Sequence, residues 1–99
     1  MSVYQPTIFL IQRVLKVFCE EGVPVNLSRA SRKAQLNFLT TKKIIMYLEE
    51  RGCLKRLRSF NKSNNVLMRS AIYYVVTDKG DLLFGHLESV LKILKRSER

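Results

Sequence analysis

SRASRKAQLNFLTTKKIIMYLEERG, residues 28–52, decides how the rest of the chain is read. It holds two helical patterns separated by three residues. Ser28 stands where an N-cap belongs, and Arg29 to Ala34 form a short helix rich in cations. Gln35-Leu36-Asn37 breaks that pattern, and Asn37 is placed to cap a second helix that runs from about Phe38 to Arg51 and stops at Gly52. Thr41, Ile44, Ile45 and Leu48 recur at helical spacing and predict an inward stripe. Leu39, Thr40, Lys42, Lys43, Met46 and Tyr47 fall on the opposite face. Two helices joined by a three-residue turn form a helix-turn-helix.

Outward from this stretch the pattern stays legible. Upstream, Pro6-Thr7 opens a helix whose apolar positions Ile8, Ile11, Leu15 and Phe18 step at helical spacing, and Gly22 with Pro24 ends it. Val23 to Leu27 is an extended link with room for one brief strand. Downstream of Gly52 the period changes from 3.6 to 2, predicting a strand through Leu54, Arg56 and Arg58. Asn61 to Asn65 is turn-rich, and Ala71 to Thr77 is dense in β-branched and aromatic residues, so the pair reads as a β-hairpin. Thr77 caps a last helix of about 78–96, with Asp78 suited to its positive end. The class is α+β, mostly α: one domain over 1–99, with the helix-turn-helix at about 28–51 and the hairpin at about 53–77.

Charge narrows the function. Eighteen Lys and Arg against eight Asp and Glu give a net charge of +10 over 99 residues. The excess is concentrated: residues 22–77 hold eleven basic and two acidic side chains, between nearly neutral ends. Such a field repels itself unless it meets a polyanion. No apolar run approaches the roughly 20 residues of a membrane span, and nothing reads as a signal peptide, so the expected location is the cytoplasm. The two cysteines, Cys19 and Cys53, and the single His86 form no metal-ligand spacing, so no metal or cofactor is expected. No nucleophile–base pairing or glycine-rich phosphate loop appears, which argues against an enzyme.

Helix, helix-turn-helix, two-stranded hairpin and helix is the order of a winged helix. Three stretches carry a resemblance to a known family: Leu27–Leu36 resembles its helix-turn-helix entry, Leu48–Leu54 the exit of its recognition helix into the wing, and Tyr74–Gly80 the turn into its last helix. Over roughly residues 7–95 the chain is similar to winged-helix transcription regulators of the MarR and PadR kind, and most to the short archaeal and archaeal-virus members, which add a single dimerising helix. Ala30 and Ser31 are smaller than the family pattern and predict loose packing of the short helix. The resemblance implies a DNA-binding transcription regulator, sited in the host cytoplasm if the source is viral.

The residues assign the parts of such an interface. An α-helix fits the major groove, where base edges differ in donors and acceptors. Asn37, Thr40 and Lys43 are placed for bases, Lys42 for phosphate, and Tyr47 for phosphate or the sugar edge. Leu39, Met46 and Phe38 solvate poorly and suit a face that meets thymine methyls or a partner. Ser28, Arg29, Arg32 and Lys33 suit the flanking backbone. Arg56, Arg58, Lys62, Asn64 and Arg69 surround the hairpin tip and suit adjacent backbone or a narrow minor groove. Leu83, Leu87, Val90, Leu91 and Leu94 form a stripe expected to be the seam of a homodimer reading a pseudo-palindrome. Cys19 is a candidate for a symmetric intersubunit disulfide, Cys53 is expected to be the more buried of the two, and His86 a packed or interface residue. Two rival functions share the fold: a protein–protein module in a larger assembly, and an RNA binder stacking bases on Tyr73 and Tyr74.

Overall fold

Thr7, Asn26 and Asn37 each sit in extended backbone and turn a side-chain oxygen onto the amide three residues ahead, starting three successive helices. A computed structural model describes residues 6–59 and 71–97. Its elements are α1 (Ile8–Glu21), β1 (Val25–Asn26), α2 (Leu27–Ala34), α3 (Phe38–Glu50), β2 (Leu54–Ser59), β3 (Ala71–Val76) and α4 (Asp78–Ser97). The three strands form an antiparallel sheet in the order β1-β3-β2. Val25 pairs with Tyr74 at one edge, and Leu54 pairs with Val76 at the root of the hairpin. The link from Val23 to Leu27 therefore does supply a brief strand.

The cap of α2 differs from expectation. Asn26, not Ser28, accepts the Arg29 amide at 2.8 Å, because the helix begins two residues earlier, at Leu27. Ser28 lies inside the first turn and is exposed. Ala30 and Ser31 are buried, so their small size lets α2 lie close to its neighbours instead of loosening it. The Ser31 hydroxyl donates to the Leu36 carbonyl at 2.7 Å, which satisfies a polar group taken out of water.

The core joins α1, α2, α3 and the sheet through Val14, Leu15, Phe18, Val25, Ala30, Ile44, Ile45 and Leu48, all essentially inaccessible. The whole expected inward stripe of α3 is buried, Thr41 included, its hydroxyl donating to the Asn37 carbonyl. Beyond α3, Gly52 takes the left-handed conformation (φ 77°) that a β-carbon disfavours. The Thr77 hydroxyl donates to the Gly52 carbonyl at 2.6 Å and accepts from the Gly80 amide at 3.1 Å. The Thr77 amide also donates to the Cys53 carbonyl, so one residue ties the end of the helix-turn-helix to the hairpin and to the first turn of α4.

α4 lies antiparallel against α1. Gln12 donates to Glu88 at 2.8 Å, and the Cys19 thiol to Asp81 at 3.3 Å, which sets the register and carries the end of α4 past the start of α1. This packing revises the expected dimer seam at two residues. Leu87 is 8% exposed and belongs to the domain's own core, with Leu83 packed beside it. A stripe stepping by 4 and 3 serves a core or a seam equally well, and here its first half is core. Val90, Ile93 and Leu94 remain exposed and Leu91 half-buried. No described helix is long and apolar enough to cross a membrane.

Candidate nucleic-acid interface

The α2–α3 turn owes its shape to Gln35, a non-glycine residue in left-handed backbone (φ 57°). Its amide donates to the Arg32 carbonyl, and its side chain accepts from Arg13 of α1 at 3.4 Å. Leu36 returns its amide to the Ser31 carbonyl, which leaves Asn37 to start α3. With Thr41, Ile44, Ile45 and Leu48 buried, the opposite face of α3 must point to solvent. Lys42 and Lys43 are exposed there, alongside Leu39, Met46 and Glu50.

On α2, Arg29, Arg32 and Lys33 line one shallow cleft. Expected backbone contacts from a single short helix are thus gathered on one surface. Arg29 carries a second commitment: its Nε donates to Glu21 at 2.6 Å. That hydrogen bond holds the Glu21 carboxyl below the usual carboxylate range, and burial opposes it only in part.

Three further residues have structural work beside their expected one. The Asn37 side-chain oxygen accepts the Thr40 amide at 2.7 Å, so the cap fixes the side chain and uses one of the two lone pairs of that oxygen. Thr40 and Tyr47 lie on the flank of α3, half-buried, and the Arg51 guanidinium stacks 3.7 Å above the Tyr47 ring. Arg56 donates to Glu49 at 2.9 Å and sits over the Tyr74 ring, linking the last turn of α3 to the hairpin root. The hydrogen bond from Arg56 to Glu49 raises the Arg56 pKa further, with the Tyr74 oxygen next in effect. Arg51 follows Tyr47 by four residues, a spacing at which helical side chains meet, but the parts played by Glu21 and Glu49 are not visible in the sequence. No helical period connects Glu21 to Arg29 across the break at Gly22, nor Glu49 to Arg56 across Gly52.

In the hairpin, Arg58 stands on β2 opposite Ile72, while Lys62, Asn64 and Arg69 lie outside the described residues. Tyr74 is 8% exposed and Tyr73 half-buried, so the ring of Tyr74 is not open to a stacking base. His86 is exposed on α4, not packed in its own domain. Among the described residues no group of His, Cys, Asp or Glu is arranged to hold a metal.

Cys53 is buried and Cys19 half-buried, and both are free thiols. Burial, followed by the hydrogen bond to Asp81 and the charges of Asp81 and Glu20, pushes the Cys19 thiol up to about 12. Cys19 also lies ten residues from Phe9 along α1, about 15 Å at 1.5 Å per residue. Phe9, which is 60% exposed, borders a groove with Leu91 and Leu94, at the opposite end of the α1–α4 pair from Cys19. The apolar surface and the thiol are therefore not one patch, and the thiolate that disulfide exchange requires is disfavoured.

No family model and no curated protein matches the chain. Solved structures do. Sso10a-2, a DNA-binding protein from Sulfolobus solfataricus, superposes with a TM-score of 0.74 at 23% identity, over 95% of this chain and 86% of its own. The transcriptional regulator BldR, also from Sulfolobus solfataricus, gives 0.72 at 19% identity over 91% of this chain and 59% of its own. A MarR family protein from Bacillus stearothermophilus gives 0.63 at 20% identity over 95% and 60%. The fold is a winged helix. The chain spans 86% of the small archaeal DNA-binding protein and about three fifths of the two longer ones.

Proposed function

We propose that this chain is a sequence-preferring, double-stranded-DNA-binding transcription regulator that acts as a homodimer. Its recognition helix α3 enters the major groove, α2 holds the flanking backbone through Arg29, Arg32 and Lys33, and the basic hairpin rests on adjacent backbone or minor groove. One observation carries the reading: the second and third helices of the fold turn their cations outward from a shared, largely apolar core. Kinship of fold with a DNA-binding protein and a transcriptional regulator supports it. So does the concentration of charge in residues 22–77, since eleven cations against two carboxylates suit a phosphate backbone. The exposed Phe9, Val90, Ile93 and Leu94 support a dimer through the outer ends of α1 and α4. A two-fold dimer would read half-sites about one helical turn apart.

Competition among equal-length random duplex DNA, single-stranded DNA and duplex RNA tests the class of ligand. The expected order puts duplex DNA first, and selection from a random duplex library is expected to yield a pseudo-palindrome. Preference for RNA or single strands would refute the reading. A chain that binds none of the three would be a protein-interaction module instead.

A further inference from the structure

The outward face of α3 pairs cations with large apolar side chains, an arrangement that solubility alone does not call for. Leu39 is 67% exposed and Met46 is 44% exposed, although the core of this domain is complete without them. Seven residues apart, they fall on one line along the helix, with Lys42 and Lys43 between them. From Phe38 to Met46 the helix carries no acidic side chain, so nothing on this half repels a phosphate. The face is apolar along its middle and cationic beside it. The major groove has the complementary layout, with anionic walls and a floor whose only large apolar group is the C5-methyl of thymine.

We infer that Leu39 and Met46 read thymine methyl groups, making the chain selective for thymine at two positions within each half-site. This rests on the duplex binding proposed above. Seven residues of helix span about 10.5 Å, close to three base steps of 3.4 Å for a helix lying along the groove. The unbranched thioether side chain of Met46 adapts to an irregular floor, while Leu39, in the first turn of α3, stands at the end of a recognition helix that meets base edges. Burying one methyl is worth about fourfold in affinity.

The test removes the methyls and nothing else. A 24-base-pair AT-rich duplex is prepared with thymidine, and again with deoxyuridine at every thymidine position, and each is titrated by fluorescence anisotropy against wild type, Leu39→Ala and Met46→Ala. Both substitutions truncate exposed side chains, and helix content by circular dichroism verifies folding; the wild-type ratio stands without them. The expected result is tighter wild-type binding to the thymidine duplex, by about fourfold for each methyl covered, with a smaller ratio in each variant. Equal wild-type affinity for both duplexes, with binding still sensitive to salt, overturns the methyl reading and leaves duplex binding standing. A ratio undiminished in both variants also overturns it, because the methyls are then read elsewhere. So does a drop in mass of Leu39→Ala by light scattering with no thymidine preference, since the face would then join two copies. Failure to bind either duplex removes the proposed function, and this inference with it.

Discussion

Gly80 is the position at which a single added carbon should do most damage, and the reason lies outside its own helix. A β-carbon there would overlap the Cys53 carbonyl oxygen, and would stand 2.7 Å from Val76 Cγ2 and 3.1 Å from the Cys53 carbonyl carbon. Two of those three atoms are backbone, so no rotamer change relieves the overlap, and α4 must move away from the hairpin root. That movement strains overpacked atoms by about 1–3 kcal/mol. It also pulls on the bonds that Thr77 makes to Gly52, Cys53 and Gly80. Breaking two of these at about 1 kcal/mol each brings Gly80→Ala to roughly 3–5 kcal/mol, a large part of a small domain's stability. Gly85 in the same helix is the control, because a β-carbon there meets nothing within 4 Å. Gly85→Ala should stabilise by up to about 1 kcal/mol, since alanine is the better helix former. Urea unfolding followed by circular dichroism measures both, with midpoints moving in opposite directions. Gly80→Ala within about 1 kcal/mol of wild type would refute the packing of α4 on the Cys53 turn.

Other substitutions probe the remaining joints. Asn37→Ala, which removes the cap of α3, should cost about 1 kcal/mol and lower duplex affinity even if the Asn37 amino group touches no base; an unchanged urea midpoint would mean the cap contributes nothing. The raised Cys19 pKa stabilises the fold below the unfolded value of 9.0, and that contribution disappears as pH rises toward about 12. Stability should therefore fall less steeply over this window in Cys19→Ser, and on non-reducing gels wild type should run as monomer; a Cys19-dependent dimer band would contradict the placement of the thiol. Leu94→Asp should lower the solution mass measured by light scattering while leaving the melting temperature close to wild type, whereas Leu87→Asp should unfold the domain itself, because only Leu87 lies in its core. Equal melting temperatures for the two would mean that Leu87 is not a core residue.

Local signals carry most of the fold. Helix limits are legible because Thr7, Asn37, Gly22 and Gly52 act within three residues of the backbone they cap or release. The inward stripe of α3 is legible for the same reason, as its period is set by one helix alone. What escapes the sequence is non-local. Ser28 and Asn26 both carry an oxygen suited to a cap, and only the pairing of β1 with β3 places the helix start at Leu27. Leu83 and Leu87 read as a partner's surface because a helical stripe does not state which surface covers it. Arg29 and Arg56 are legible as cations, but their carboxylates lie across chain reversals at Gly22 and Gly52. Of the candidate interface, residue type and exposed face are therefore readable, while the prior commitments of Arg29, Asn37 and Arg56 are not.

In the proposed complex the exposed cations of α2 and α3 meet the phosphates of a DNA duplex, and that contact can be measured. Its most direct test is the slope of log Kd against log salt concentration, measured for wild type and for a variant with Arg32, Lys33 and Lys42 all replaced by alanine. Each phosphate that no longer meets a cation should lower the slope by about 0.9, so a fall of up to about 2.7 is expected, with the fold intact by circular dichroism. A folded variant with the wild-type slope would contradict this contact, because the duplex would then be held by some other surface.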